Sequence, residues 1–98
     1  MLFIVRFTDK PERLATRNEF LAAHLQWLEE HQDMVRVAGS LRPEADAAPV
    51  GAAWVVEAQD RKEIEALLQS DPFWVQGLRQ SVEILHWSKA FPERTVPV

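Results

Sequence analysis

Leu2-Phe3-Ile4-Val5-Arg6-Phe7-Thr8, at the start of the chain, decides the fold. Phe3, Val5 and Phe7 alternate onto one side and Leu2 and Ile4 onto the other, which is the period of a strand. Apolar side chains on both sides mean that both faces of this strand are covered, so it belongs inside a sheet. Asp9-Lys10-Pro11 then reads as a turn. The next periodic stretch changes from two residues to about 3.6: Thr16 to His31 predicts the main helix, with Thr16 and Glu19 at the spacing of a capping box. Leu21, Leu25 and Leu28 form one stripe on it, and Phe20, His24, Trp27 and His31 form a second stripe alongside.

The same reading continues to the C-terminal end. Met34–Leu41 predicts a second strand, with Gly39-Ser40 near its end allowing close approach of a backbone or ligand. A polar loop with two prolines, residues 42–49, leads to a third strand over Val50–Glu57. Asp60 caps a second helix over Arg61–Gln69, with Glu63 three residues on and Ile64, Leu67 and Leu68 as its buried face. Asp71-Pro72 starts a short helix carrying Phe73, Trp74 and Leu78, ended near Gly77. Ser81–Lys89 predicts the last strand. Strand, helix, strand, strand, helix, strand is the split βαβ order of a ferredoxin-like α+β sandwich, an antiparallel sheet with helices on one face. The 98 residues fit one domain, 1–98, with an extended tail over 92–98.

Composition narrows the possibilities further. At 47% hydrophobic and 27% charged, the chain is that of an ordinary globular protein. The net charge of −4 offers nothing to a phosphate backbone, so nucleic acid is not an expected partner. No apolar run approaches the roughly 20 residues of a membrane span, and the N-terminus lacks the basic start and cleavage site of a signal peptide. The absence of Cys excludes thiolate chemistry and fits a cytoplasmic location. Four Trp and five Phe are many for so small an interior. Leu2, Ile4, Trp54, Val56, Val82 and Ile84 put apolar groups on more than one sheet face, so the uncovered face predicts a homodimer. Covering about 600 Å² of apolar surface per subunit would contribute on the order of 15 kcal/mol before association costs.

Signatures of phosphate loops, dinucleotide turns and paired-Cys metal sites are absent. His24 and His31 lie about 10 Å apart along the helix axis, too far to share a metal ion, so no metal is expected. His24 places a titratable ring in an apolar stripe. It is either a half-buried imidazole held by a carbonyl or a general acid–base group facing a pocket. His31 reads as a helix cap and His86 as packing on the last strand. Asp71 caps the short helix and could also orient an imidazole. Arg17, seven residues before His24, is either a solvated side chain or a clamp for a carboxylate or phenolate.

Four short pieces, Met1-Leu2-Phe3-Ile4-Val5, Arg17 seven before Ala23-His24-Leu25, Ala38-Gly39-Ser40, and Ser70-Asp71-Pro72-Phe73, occur in an order that resembles the YCII-related (YciI-like) family of the dimeric α+β barrel group. The resemblance covers nearly the whole chain. It implies a homodimer whose sheets meet face to face and an active site built on a His–Asp pair, which maps onto His24 and Asp71. Related chains often carry Gly-Pro where this one has Gly39-Ser40, a departure that either alters the pocket wall or gives it a hydroxyl. One branch of the family dehydrochlorinates chlorinated hydroxyquinols.

The residues and the resemblance together predict a cofactor-independent enzyme, lyase- or hydrolase-like, acting on a small aromatic or anionic molecule. His24 would be the acid–base group and Asp71 its orienting partner, with Arg17, Ser40, Trp27, Trp54 and Phe73 around the substrate. The alternative is a non-catalytic module that holds a small molecule in the same pocket.

Overall fold

The computed structural model describes residues 1–95. The chain runs β1 (Leu2–Asp9), a 3-10 turn (Pro11–Arg13), α1 (Leu14–Glu30), β2 (Val35–Leu41), β3 (Gly51–Glu57), α2 (Arg61–Leu68), α3 (Pro72–Val75) and β4 (Arg79–Trp87). The sheet order is β2-β3-β1-β4, and every neighbouring pair is antiparallel. This is the ferredoxin-like α+β sandwich, with β1 between β3 and β4 as its doubly apolar pattern requires. Each βαβ crossover is split by one strand: β3 lies between β1 and β2, and β1 between β3 and β4.

Register explains which face each strand residue serves. Val5 pairs with Trp54 on one side and Ile84 on the other, and Phe3 with Val56 and His86. Phe3, Val5, Phe7, Trp54, Val56 and Ile84 join Trp27, Ile64, Leu67 and Leu68 in the core beneath the helices. Trp54, Val56, Val82 and Ile84 therefore belong to the helix side. The other face carries Leu2, Ile4 and Val55, half-buried, with Leu85 51% and Trp87 41% exposed. On that face Ile4 pairs with Val55 and Leu85, and an Arg6–Glu83 ion pair lies beside them.

Several boundaries differ from the sequence reading. The Pro11–Arg13 turn runs straight into α1, so the helix begins at Leu14, its first residue is preceded by Arg13 with no side-chain cap, and Thr16 lies inside it. Pro at the first position of the turn pre-sets the helical φ, and the start of α1 has no side-chain cap. The two stripes of α1 have different fates. His24 and Trp27 of the second stripe are buried, whereas Leu21 and Leu25 of the first are 40% and 55% exposed; Arg17, in neither stripe, is buried as well. At the other end the His31 ring caps the helix by hydrogen bonding through Nδ1 to the Trp27 carbonyl at 2.7 Å. Asp60 accepts from the Glu63 amide at 2.9 Å, and Glu63 accepts from the Gln59 amide at 2.8 Å, closing the cap of α2 from both sides. Gly77, with φ of 74°, takes the left-handed conformation that ends α3 and turns the chain into β4. Residues 92–95 of the expected tail are exposed, and residues 96–98 lie outside the described part.

Candidate active site

The site is built where α1 and α3 pack against each other. Asp71 precedes α3 and is completely buried. Its Oδ1 accepts from the Phe73 amide at 3.2 Å, which caps the short helix, and lies 2.7 Å from His24 Nδ1. One carboxylate thus fills both roles, because an ionised carboxylate has several acceptor positions. An acceptor at Nδ1 places the proton of the neutral imidazole on that nitrogen and leaves the lone pair on Nε2. The ring is held flat on Phe73, with centroids 4.0 Å apart and planes 14° from parallel. Trp54 and Trp27 follow at 6.5 Å and 6.4 Å.

Beside the imidazole is a cleft of about 370 Å³ lined by side chains of α1, the ends of β2 and β3, and the start of β4. That volume suits a substituted single ring. His24, Arg17, Ser40 and Trp54 line the cleft, as does the leucine stripe of α1. The exposed Leu21 and Leu25 are therefore the outer wall of a pocket. Trp27 and Phe73 are not part of the lining. Trp27 is tied to Ser70 Oγ through its indole nitrogen at 2.9 Å, and Phe73 is fully buried behind His24. Both support the imidazole from behind. Gly39 lies on the wall with nothing within 4 Å of an added Cβ, so the chain itself does not require a glycine there.

Arg17 is neither solvated nor free. Its Nη2 donates to Asp9 Oδ2 at 3.0 Å and to the Gly51 carbonyl at 3.3 Å. Asp9 holds a second cation, Arg79, whose Nη1 donates to Oδ1 at 2.7 Å. Asp9 is thus the end of β1 and the centre of a buried ion triad, where the sequence suggested a turn. Burial pulls the Arg79 guanidinium below its ordinary value, and the hydrogen bond and charge of Asp9 work against that shift. Arg79 also stacks over the rings of Phe7 and Phe73, at 4.3 Å and 5.2 Å from their centroids. Arg79 is the site residue that the sequence did not reveal. Its only local signal is a charged side chain directly after the Gly77-Leu78 turn.

Among the described residues no group of three or more His, Cys, Asp or Glu side chains is placed to hold a metal ion, and no helix is long and apolar enough to cross a membrane.

The ferredoxin-like sandwich, the family it matches and the solved structures it resembles place the chain in the dimeric α+β barrel superfamily. Residues 1–88 match the family model of the YCII-related domain, and the chain belongs to that family. Among solved structures it is similar to 5-chloro-2-hydroxyhydroquinone dehydrochlorinase from Burkholderia phenoliruptrix, in complex with 2,5-dihydroxybenzoquinone. The TM-score is 0.81 at 27% identity, over 90% of this chain and 94% of that one. A protein assigned as an antibiotic biosynthesis monooxygenase, from Bacteroides thetaiotaomicron, shares the fold with a TM-score of 0.59 at 18% identity, over 99% and 95% of the two chains. A comparison with curated proteins finds no match.

Proposed function

We propose that this protein is a cofactor-independent enzyme that uses His24 and Asp71 for acid–base chemistry on a small, acidic, hydroxylated aromatic molecule. The observation that carries the reading is the 2.7 Å contact between His24 Nδ1 and Asp71 Oδ1 on a ring that lines the cleft. With Nδ1–H held by the carboxylate, Nε2 is the basic nitrogen available to a bound molecule. Proton transfer from a ring hydroxyl to Nε2 creates an imidazolium that Asp71 stabilises. The same nitrogen then returns the proton, so the group serves as base and acid in turn. The similar dehydrochlorinase, whose name specifies a chlorinated hydroxyhydroquinone, supports this substrate class.

The working form is a homodimer joined through the open sheet face. Leu2, Ile4, Val55, Leu85 and Trp87 make that face apolar, which is the kind of surface that association covers. The location we propose is cytoplasmic, on the chain's lack of Cys.

The test is turnover of 5-chloro-2-hydroxyhydroquinone, followed by chloride release, for wild type, His24→Ala and His24→Gln. Loss of turnover in both variants supports the reading, and unchanged turnover in both overturns it. Saturable binding of 2,5-dihydroxybenzoquinone without turnover of any hydroxylated aromatic would favour a binding module.

A further inference from the structure

The buried ion triad contains more donors than the protein uses. Asp9 accepts one bond from Arg17 and one from Arg79, and a structural role for Arg79 is complete with Nη1 alone. Arg79 Nε and Nη2, Arg17 Nε and Trp54 Nε1 are all buried and have no hydrogen-bond partner among the described residues. These four donor nitrogens come from three side chains that line the same cleft. The side chains of Arg79 and Arg17 are only 1% and 9% exposed, and Trp54 only 1%. Buried donors without acceptors are costly; the two cations share the bonded carboxylate of Asp9, and Asp71 is the second anion that acts on Arg79. The one buried orphan acceptor, Asp71 Oδ2, belongs to the side chain already engaged by His24.

The rest of the wall has the same bias. Among the described residues three arginines, Arg17, Arg42 and Arg79, line the cleft and no Asp or Glu does, although the chain as a whole carries a net charge of −4. A local field opposite to the global charge is aimed at an anionic ligand.

We infer that Arg79, together with Arg17 Nε and Trp54 Nε1, forms a seat for an anionic oxygen of the substrate, a phenolate or carboxylate, beside the His24 imidazole. This rests on reading the cleft as the substrate site and deepens it by assigning the group that recognises charge. The charge balance fits proton transfer. When His24 takes the proton of a bound phenol, the imidazolium engages Asp71, and the new phenolate takes over as the second anion beside the two guanidinium groups. No charge leaves the site, and no solvent is needed to stabilise either ion.

The experiment measures the binding of para-nitrophenolate and of its neutral methyl ether, para-nitroanisole, to the full chain. Wild type should prefer the phenolate by about ten- to a hundredfold, the range of a charge-assisted hydrogen bond. Arg79→Gln should remove about tenfold of that preference and leave binding of para-nitroanisole unchanged. Arg79→Lys keeps a cation against Asp9 but lacks the planar fork, so it gives the same result where Arg79→Gln fails to fold. A purely structural Arg79 would weaken both ligands together. An unchanged preference in either folded variant, or none in wild type, overturns the seat. Preference that persists while His24→Gln retains full turnover would overturn the acid–base reading and leave the seat standing.

Discussion

Replacing Asp9 by Asn tests whether the ion triad holds the site together. The side chain is isosteric, but the charge is lost and one of its two acceptor positions becomes an NH2 group facing a guanidinium. Its two bonds, at 3.0 Å to Arg17 and 2.7 Å to Arg79, connect groups whose side chains are 5%, 9% and 1% exposed. Removing one partner from a buried ionic cluster costs about 3–5 kcal/mol, because the remaining charges stay desolvated. A domain of this size loses roughly 4–8 °C of Tm for each kcal/mol, so the expected fall is roughly 12–40 °C. Thermal unfolding at a fixed protomer concentration reads the change, since association would otherwise shift the transition. Adding Arg79→Met to the Asn variant should recover part of the loss, because it removes one of the stranded cations. A loss below about 1 kcal/mol in the single variant would mean that water reaches the triad and that it behaves as a surface ion pair.

Four further outcomes follow. Asp71→Asn keeps the shape of the α3 cap but permits the wrong imidazole tautomer, so turnover should fall by about 10⁴-fold with little change in ligand binding; steady-state kinetics checks this. Gly51→Ala should destabilise strongly, since an added Cβ would lie 2.0 Å from the Phe7 carbonyl oxygen, and overpacking of this kind costs roughly 1–3 kcal/mol or more in denaturant unfolding. Leu25→Ala, on a side chain 55% exposed, should change stability by no more than about 0.5 kcal/mol while weakening aromatic ligands, as unfolding and ligand titration will report. Ile4→Lys places a charge between Val55 and Leu85 on the open sheet face and should give monomers in sedimentation, without unfolding the chain.

The architecture was legible because its signals are local. The alternation of Phe3, Val5 and Phe7, the Asp60 and Asp71 caps and the glycine after α3 each fix one element, and their order leaves one simple topology. The His24–Asp71 contact is legible only through the family resemblance, since 47 positions separate the two residues. Arg79 and Asp9 lay beyond local reading. They are 70 positions apart, at a strand start and a strand end where charged residues ordinarily meet water. Only the antiparallel register of β1 and β4 brings them together. The stripes of α1 mislead for a related reason. Hydropathy ranks leucine above histidine and arginine, yet α1 turns Arg17 and His24 inward and leaves Leu21 and Leu25 on the pocket rim.

Acid–base chemistry at His24 depends on which of its ring nitrogens carries the proton. Nitrogen-15 NMR of the imidazole ring in the resting protein should show the neutral form protonated at Nδ1, with that proton shielded from exchange, and conversion to imidazolium when 2,5-dihydroxybenzoquinone is added. A ring protonated at Nε2, or one indifferent both to Asp71→Asn and to the added ligand, would contradict it.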